Sequence, residues 1–307
     1  MLNPMNSQPK FTPLLALAAA LAPRPGYNAT PLPGIRILRS ETILEDVPVL
    51  YRPGAVFVLQ GAKQGFLNGE IYRYDADHYL SVSVPVHFRM ASQASPGQPL
   101  LAIYFDFDLH LAAEIVTTLE GQVGYEEKTR ARSLVSSRMV SSIADVLQRL
   151  LHALHHPQEL AILGPGLLRE LHYRVLTGPQ GGALMAALRR NDTTNRIVQS
   201  LAMIRENYNE GLSVPALATM AGMSVPSYHV GFKALTGSTP IQYIKAVRLH
   251  EARLMITRRK GSIAAIAAEV GYASVAQFSR DFKRHFRRSA SEEAKWMQEH
   301  LGESLQD

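Results

Sequence analysis

Cysteine is absent from the chain, so no disulfide framework argues for export. No apolar run approaches the ~20 residues that a membrane helix needs. One segment, Leu14 to Ala22 (LLALAAALA, preceded by Lys10), imitates part of a secretory signal. The rival reading, adopted here, is a short amphipathic helix packed on the domain behind it, started after Pro13 and stopped at Pro23. A cytoplasmic protein is the expectation. Catalytic signatures are missing as well: there is no Ser/His/Asp arrangement, phosphate loop or carboxylate pair with a supporting context.

What is present is an ordinary globular composition, 46% hydrophobic and 19% charged, which excludes wholesale disorder and a fibrous class. At 307 residues, two domains fit better than one. The formal charge is +6, but its placement says more: between Pro226 and Ala290 there are twelve Lys or Arg against three acidic residues, Glu251, Glu269 and Asp281. Such an asymmetry suits a phosphate-binding face, although a merely solvated basic surface has the same composition.

From Ile35 to about Asp108 the chain reads as β, in short runs rich in Val, Ile, Phe and Tyr punctuated by Gly and Asp. Asn68 followed by Gly69 is the best hairpin signal, because both central residues of a type I′ turn need positive φ. Strands at this interval suggest a small sandwich or barrel. After Leu109 the apolar period becomes helical, with helices expected over about Ser137 to His155 and Gly166 to Thr177. A boundary is placed near residues 178 to 195, where Gly178, Pro179, Gly181 and Gly182 cluster, and from about Asn191 everything reads as helix with short Gly turns.

The C-terminal segment repeats itself. Set against each other, SVPALATMAGMSVPSYHVGFK from Ser213 and SIAAIAAEVGYASVAQFSRDFK from Ser262 align Leu217 with Ile266, Ala218 with Ala267 and Gly222 with Gly271, at an offset of 49. One extra residue then enters the second turn, and Ser224 falls on Ser274, Tyr228 on Phe278, Val230 on Arg280 and Phe232 on Phe282. Each unit has a capping Ser, a short helix with a small Ala for close helix crossing, a turn Gly and a second capping Ser. These are the requirements of a helix-turn-helix. Two units joined by a long amphipathic segment from Pro240 can place reading helices in successive major grooves about 34 Å apart.

These residues resemble the AraC/XylS type of bacterial transcription regulator. The resemblance is carried by LSVPALATMAGMS, FKALTGSTPIQYI with RLHEAR, and IAAIAAEVGYASVAQFSRDFKRHF in the C-terminal hundred residues. TPLPGIRILRSE, VPVLYRPGAVFVLQGAK, YRYDADHYLSVSVPV, PLLAIYFDFD and RELHYRVLTGPQG resemble the branch with its own N-terminal domain. The resemblance implies an α+β chain of two domains: a cupin-like β-fold with flanking helices, then an all-α tandem helix-turn-helix. Its parts are an N-terminal arm with a short helix (1–30), a cupin-like effector and oligomerisation domain (31–110), a helical part and linker (111–190), and the DNA-binding domain (191–307), with units at about 213–235 and 262–286. Implied partners are double-stranded promoter DNA, a small-molecule effector, RNA polymerase and a second copy of the chain in a homodimer; no cofactor, membrane or enzymatic activity is implied. A constitutive regulator without an effector, and an enzyme on the β-domain, are the rival readings. The chain departs from the family at Val230, where a basic residue is usual, at Gly231, where a large one is, and at Arg287 and Ala290, which replace a Gly and a Pro.

In the second unit the helix capped by Ser274 presents Val275, Ala276, Gln277, Ser279 and Arg280 away from the inward Phe278 and Phe282. Arg280 suits guanine, Gln277 adenine, and Val275 or Ala276 a thymine methyl. Lys283, Arg284, Arg287 and Arg288 suit phosphate, which positions without specifying. In the first unit Ser224 caps a helix whose outward face holds Pro226, Ser227, His229 and Val230, with Lys233 following; it is expected to dock and to read weakly. Trp296 and Met297 are assigned to packing. In the N-terminal domain Tyr72, Tyr74, Tyr79 and Phe88 are candidates to line an apolar ligand pocket, with aromatic core filling as the alternative. His78 and His87 lack the His-x-His with a following Glu that a metal cupin supplies, so no metal site is expected.

Overall fold

The computed structural model describes residues 12–95, 97–120, 131–188 and 193–301. Helix α1 (Thr12–Leu21) leads into strands β1 (Gly26–Ala29), β2 (Ile35–Ser40), β3 (Leu44–Tyr51), β4 (Gly54–Gln60), β5 (Ala62–Leu67), β6 (Glu70–Asp75), β7 (His78–Val82), β8 (Val86–Gln93) and β9 (Leu100–Asp106). Helix α2 (Leu109–Glu120), strand β10 (Leu134–Arg138) and helices α3 (Ser141–Leu154), α4 (Pro157–Leu176) and α5 (Gly181–Leu188) follow. The C-terminal part is α6 (Thr193–Glu206), α7 (Val214–Met220), α8 (Val225–Thr236), α9 (Pro240–Thr257), α10 (Ile263–Glu269), α11 (Val275–Phe286) and α12 (Ala290–Leu301).

The strands form one antiparallel sheet in the order β1-β2-β9-β4-β7-β6-β5-β8-β3, with β10 added on β7. Its curl gives a half-barrel with both faces buried. Along β9 the alternation of strand side chains sends Leu101, Ile103 and Phe105 to the core under α1, α3 and α4, and Leu100, Ala102 and Tyr104 to the interior of the curl. The expected hairpin is the β5–β6 turn, where Leu67 pairs with Glu70 and Asn68 and Gly69 both have positive φ, 54° and 79°.

Helix α1 buries Leu14 and Ala18 in the outer core, as a packed helix should, but its exposed Ala16, Ala19 and Ala20 are apolar too, so it is not amphipathic; Lys10 lies outside the described residues. Two local expectations are corrected. Ser137 and Arg138, read as the start of a helix, end strand β10, which pairs with β7 from Leu134 opposite Val82 to Arg138 opposite His78. Sheet pairing outweighs the local helical pattern there. Helix α4 starts at Pro157 and continues through Gly164 and Pro165 instead of starting at Gly166. Pro165 removes one intrahelical donor, but burial of Gly164, Leu167, Leu171 and Val175 keeps the helix intact. Part of the boundary expected at 178–195 falls on residues 189–192, outside those described.

The C-terminal helices carry two smaller cores. One gathers Leu217, Ala218, Tyr228, Phe232 and Tyr243; the other gathers Ile266, Ala267, Phe278, Phe282 and Phe286. Helix α9 contributes to both, with Val247 in the first and Leu249 and Ala252 in the second.

Candidate nucleic-acid interface and interior cavity

Each repeat unit folds as its caps dictate. Ser213 and Ser262 accept the amides of Ala216 and Ala265 to start α7 and α10, and Ser224 and Ser274 accept those of Ser227 and Gln277 to start α8 and α11. Gly222 and Gly271 take positive φ, 60° and 84°, in the turns. At Gly271 space is restrictive too, since a Cβ would lie 2.5 Å from the carbonyl oxygen of Asn209. Arg248 of α9 braces this turn, donating to the carbonyls of Tyr208 at 2.6 Å, Gly271 at 2.9 Å and Glu210 at 2.7 Å.

Helix α11 buries Phe278, Asp281, Phe282 and Phe286 and leaves Ser274, Val275, Ala276, Gln277, Ser279, Arg280, Lys283 and Arg284 exposed. The residues expected to read bases thus share one open face. Arg280 donates to Gln277 Oε1 at 3.1 Å, and Gln277 donates to Asp281 Oδ2 at 3.1 Å. Asp281, which sequence reasoning did not single out, anchors this face: its buried carboxylate also takes Arg284 at 2.6 Å and Lys245 at 3.6 Å. A lone acid among bases, spaced i, i+4 from Gln277 and i, i+3 from Arg284, was the available signal. Arg288 turns inward instead of toward solvent, pairing with Glu293 at 3.1 Å and stacking 4.3 Å from the Trp296 ring.

On α8, Ser224, Pro226, Ser227, Val230 and Lys233 are exposed and His229 is half-buried. Val230 is 72% exposed, and Met220, Val225 and Val275 are exposed apolar groups of the two units as well. Gly231 has a local reason: a Cβ there would meet Ile197 Cδ1 of α6 at 2.6 Å. The packed side chain of α6 occupies the space a larger residue would need.

The half-barrel encloses a second candidate, a cavity of about 180 Å³ between its interior and α9. Tyr27, Arg36, Tyr51, Lys63 and Tyr104 line the sheet side, and Tyr243, Val247, Arg253 and Met297 the helical side. Lys63, 1% exposed, donates to the Tyr104 hydroxyl at 2.6 Å, which lies 3.0 Å from the Tyr51 hydroxyl. Burial lowers the Lys63 ammonium to about 7 and raises the phenols of Tyr51, Tyr74 and Tyr104 well above their ordinary range. None of the four aromatics expected to line a pocket is among the residues lining this cavity: Tyr74 touches the cluster through Tyr51, 3.3 Å away, and Phe88 packs edge-on against Tyr51 from behind the wall, as core filling. Tyr72 packs at its margin, and Tyr79 lies in the opposite core against Phe57. Lys63 was missed because a lysine in a strand reads as solvent-facing. Its inward parity in β5 was the only sign.

Three histidines meet beside the cavity. His250 of α9 and His285 of α11 face each other, Nε2 to Nε2 at 3.3 Å, near His87 of β8, whose Nδ1 is buried without a partner. Burial is the first cause holding all three neutral, with His87 lowered to about 4 and His285 to about 3. His78 pairs with Asp75. Among the described residues no group of three or more potential ligands is placed to hold a metal.

Residues 31–183 match the family described as the AraC-type transcriptional regulator N-terminus, and residues 217–295 match a helix-turn-helix domain family. The chain belongs to the AraC-type transcriptional regulators. Neither matched family is one of enzymes. A curated AraC-type relative, the HTH-type transcriptional activator RhaS of Yersinia pestis, is 32% identical over 99 residues, 32% of this chain and 36% of that protein. RhaS of Escherichia fergusonii is 31% identical over 110 residues, 34% of this chain and 40% of that protein. The chain thus matches little more than a third of these relatives. Among solved structures, ToxT from Vibrio cholerae with a bound unsaturated fatty acid superposes with a TM-score of 0.54 at 12% identity, covering 88% of this chain and 97% of that one. The apo structure of a ToxT point variant gives 0.51 at 11% identity, covering 89% and 99%. The two-domain AraC-type fold is therefore shared along nearly the whole length.

Proposed function

We propose that this chain is a sequence-specific DNA-binding regulator of transcription, with α11 as its main base-reading helix, α8 as a weaker reader and dock, and a small-molecule effector held in the half-barrel cavity. The observation that carries it is the open face of α11. Gln277 and Arg280 stand there on a buried aromatic and Asp281 base, flanked by Lys283 and Arg284, which suits guanine and adenine edges with phosphates on either side. Residues 191–307 act as the DNA-binding part and residues 31–190 as the sensing and pairing part, in the cytoplasm where promoter DNA is found. No described helix is long and apolar enough to cross a membrane.

The cavity supports an effector because its wall is shared between sheet and α9, so an occupant touches both parts. ToxT, with the same fold, has been crystallised with an unsaturated fatty acid. Pairing with a second copy is assigned to α4, where Ile162 and Leu163 are 80% and 51% exposed. Activation through RNA polymerase is the output expected of the family.

Genome-wide mapping of binding sites in the source bacterium, followed by anisotropy titration of the recovered operator at several salt concentrations, tests the reading. Specific binding that weakens steeply with salt is expected. Equal affinity for operator and scrambled DNA would refute it. Sedimentation of the Ile162→Glu variant tests the pairing face.

A further inference from the structure

We propose that the interior cavity takes an organic carboxylate, its anionic head against Lys63 Nζ and the Tyr51 and Tyr104 hydroxyls and its apolar body against α9. This rests on the effector reading above and names the class of ligand.

Charge balance is the first argument. Five basic side chains line the cavity, Arg36, Arg52, Lys63, Arg205 and Arg253, against two acidic ones, Asp106 and Glu251. Arg36 is paired with Asp106 through contacts of 2.9 and 3.0 Å, and Arg253 with Glu293 at 2.9 Å, a carboxylate it shares with Arg288 at 3.1 Å. Lys63 has no carboxylate partner among the described residues; its one hydrogen bond goes to Tyr104. Its remaining charge is offset only by ring faces, with the centroids of Tyr104, Tyr51 and Tyr74 at 5.2, 5.8 and 5.9 Å. An amine buried this way either sheds its proton or takes its counter-charge from a bound anion.

Hydrogen-bond capacity is the second argument. Lys and Arg are donors only, and the tyrosine hydroxyls can turn to donate. The polar lining therefore favours an acceptor with several lone pairs, which a carboxylate is, over a polyol that brings a donor with every acceptor. A cationic ligand would meet Lys63 directly. Facing this head group, Val47, Val247, Leu254 and Met297 make an apolar wall, so the complementary molecule is an acid with a hydrocarbon or aromatic body.

Burial has already lowered Lys63 to about 7. A bound carboxylate favours the ammonium, so binding above that pH takes up a proton.

The test uses the full chain, with octanoate and phenylacetate as probes and octanamide and phenylacetamide as neutral controls, read by thermal shift and calorimetry. At least one acid should raise the melting temperature while its amide does not. Affinity should be flat below pH 7 and fall above it, approaching about tenfold per pH unit. Lys63→Met should weaken binding by roughly tenfold or more and flatten the pH profile. Should Lys63→Met not fold, Tyr104→Phe, which keeps the ring and removes the hydroxyl, is expected to weaken the same acid several-fold. Equal shifts from acid and amide, no shift from either acid, or an unchanged response in both variants would overturn the inference. So would a borohydride-trapped adduct of octanal on Lys63 without an acid-specific shift, which would indicate a carbonyl ligand. Operator binding by the unliganded chain is measured separately. If it persists without any acid response, this inference fails and the regulator reading stands; if it is absent while the acid binds, the reverse holds.

Discussion

Arg253 of helix α9 donates to the main-chain carbonyl of Pro48 in strand β3 at 3.0 Å, joining the DNA-binding helices to the half-barrel. The same guanidinium is paired with Glu293 of α12 at 2.9 Å, both side chains being almost fully buried, and packs 4.9 Å from the Phe286 ring. Tyr243 makes a parallel tie, donating to the Pro85 carbonyl at 2.9 Å.

Removing one partner of a buried pair leaves the other charge without full compensation, at a cost of about 3–5 kcal/mol. Arg253→Met should therefore lower the melting temperature, by less than that full cost because Glu293 keeps Arg288 at 3.1 Å, and Glu293→Leu, which strands both guanidiniums, should lower it more. A single variant that melts like the parent would show that the pair contributes nothing to holding the two parts together.

Specificity should divide unequally between the two units. Arg280→Ala is expected to relax sequence preference at one half-site by ~1–3 kcal/mol, the range of a bidentate Arg–guanine contact, whereas Val230→Ala changes affinity little. Competition binding against operators mutated base by base distinguishes them. Equal losses from both variants would mean that α8 reads as strongly as α11.

Lys63 makes stability depend on pH in a definite direction. Its folded value, about 7, lies below the ordinary 10.5, so between these values the unfolded chain binds more protons and stability rises with pH. The gain should be roughly 2 kcal/mol between pH 7 and pH 9. In Lys63→Met that rise should be missing and the unliganded protein more stable near pH 7. Denaturant melts of both proteins across this range decide the matter; parallel curves would remove Lys63 as the cause.

Helix α8 ends on Gly237 at φ 80°, and α11 ends on Arg287 at φ 64°, a left-handed cap on a residue with a Cβ. Arg287→Gly should raise stability by about 1 kcal/mol by relieving that conformation. If Arg287 also meets phosphate, the variant should lose operator affinity evenly across sequences and show a shallower salt dependence. A more stable protein with unchanged DNA affinity would confine Arg287 to a structural cap.

The tandem units were legible from residues alone because caps, turn glycines and inward aromatics are local signals, and each unit corroborated the other. The Asn68-Gly69 hairpin was legible for the same reason. Strand β10 was not, since its pairing with β7 depends on contacts more than fifty residues away in sequence. Pro165 inside α4 misled for a related reason, since packing of that helix decides its length. The exposed face of α11 was readable because exposure follows helical period. Lys63, Tyr104 and Arg253 were hidden: nothing in a strand or helix pattern distinguishes a buried, cavity-facing cation from a solvated one.

Helix α9 spans Pro240–Thr257, 18 residues, and shares packing with both helix-turn-helix units and with β3. At 1.5 Å per residue it is a strut of about 27 Å. Inserting one residue would advance the second unit by only about 1.5 Å but rotate it by about 100°. If α8 and α11 read DNA as proposed, operator spacing is geared to the angular phase of α9 more than to its length, and a change of one residue there would mismatch α11 with its groove while each unit, tested alone, stayed intact.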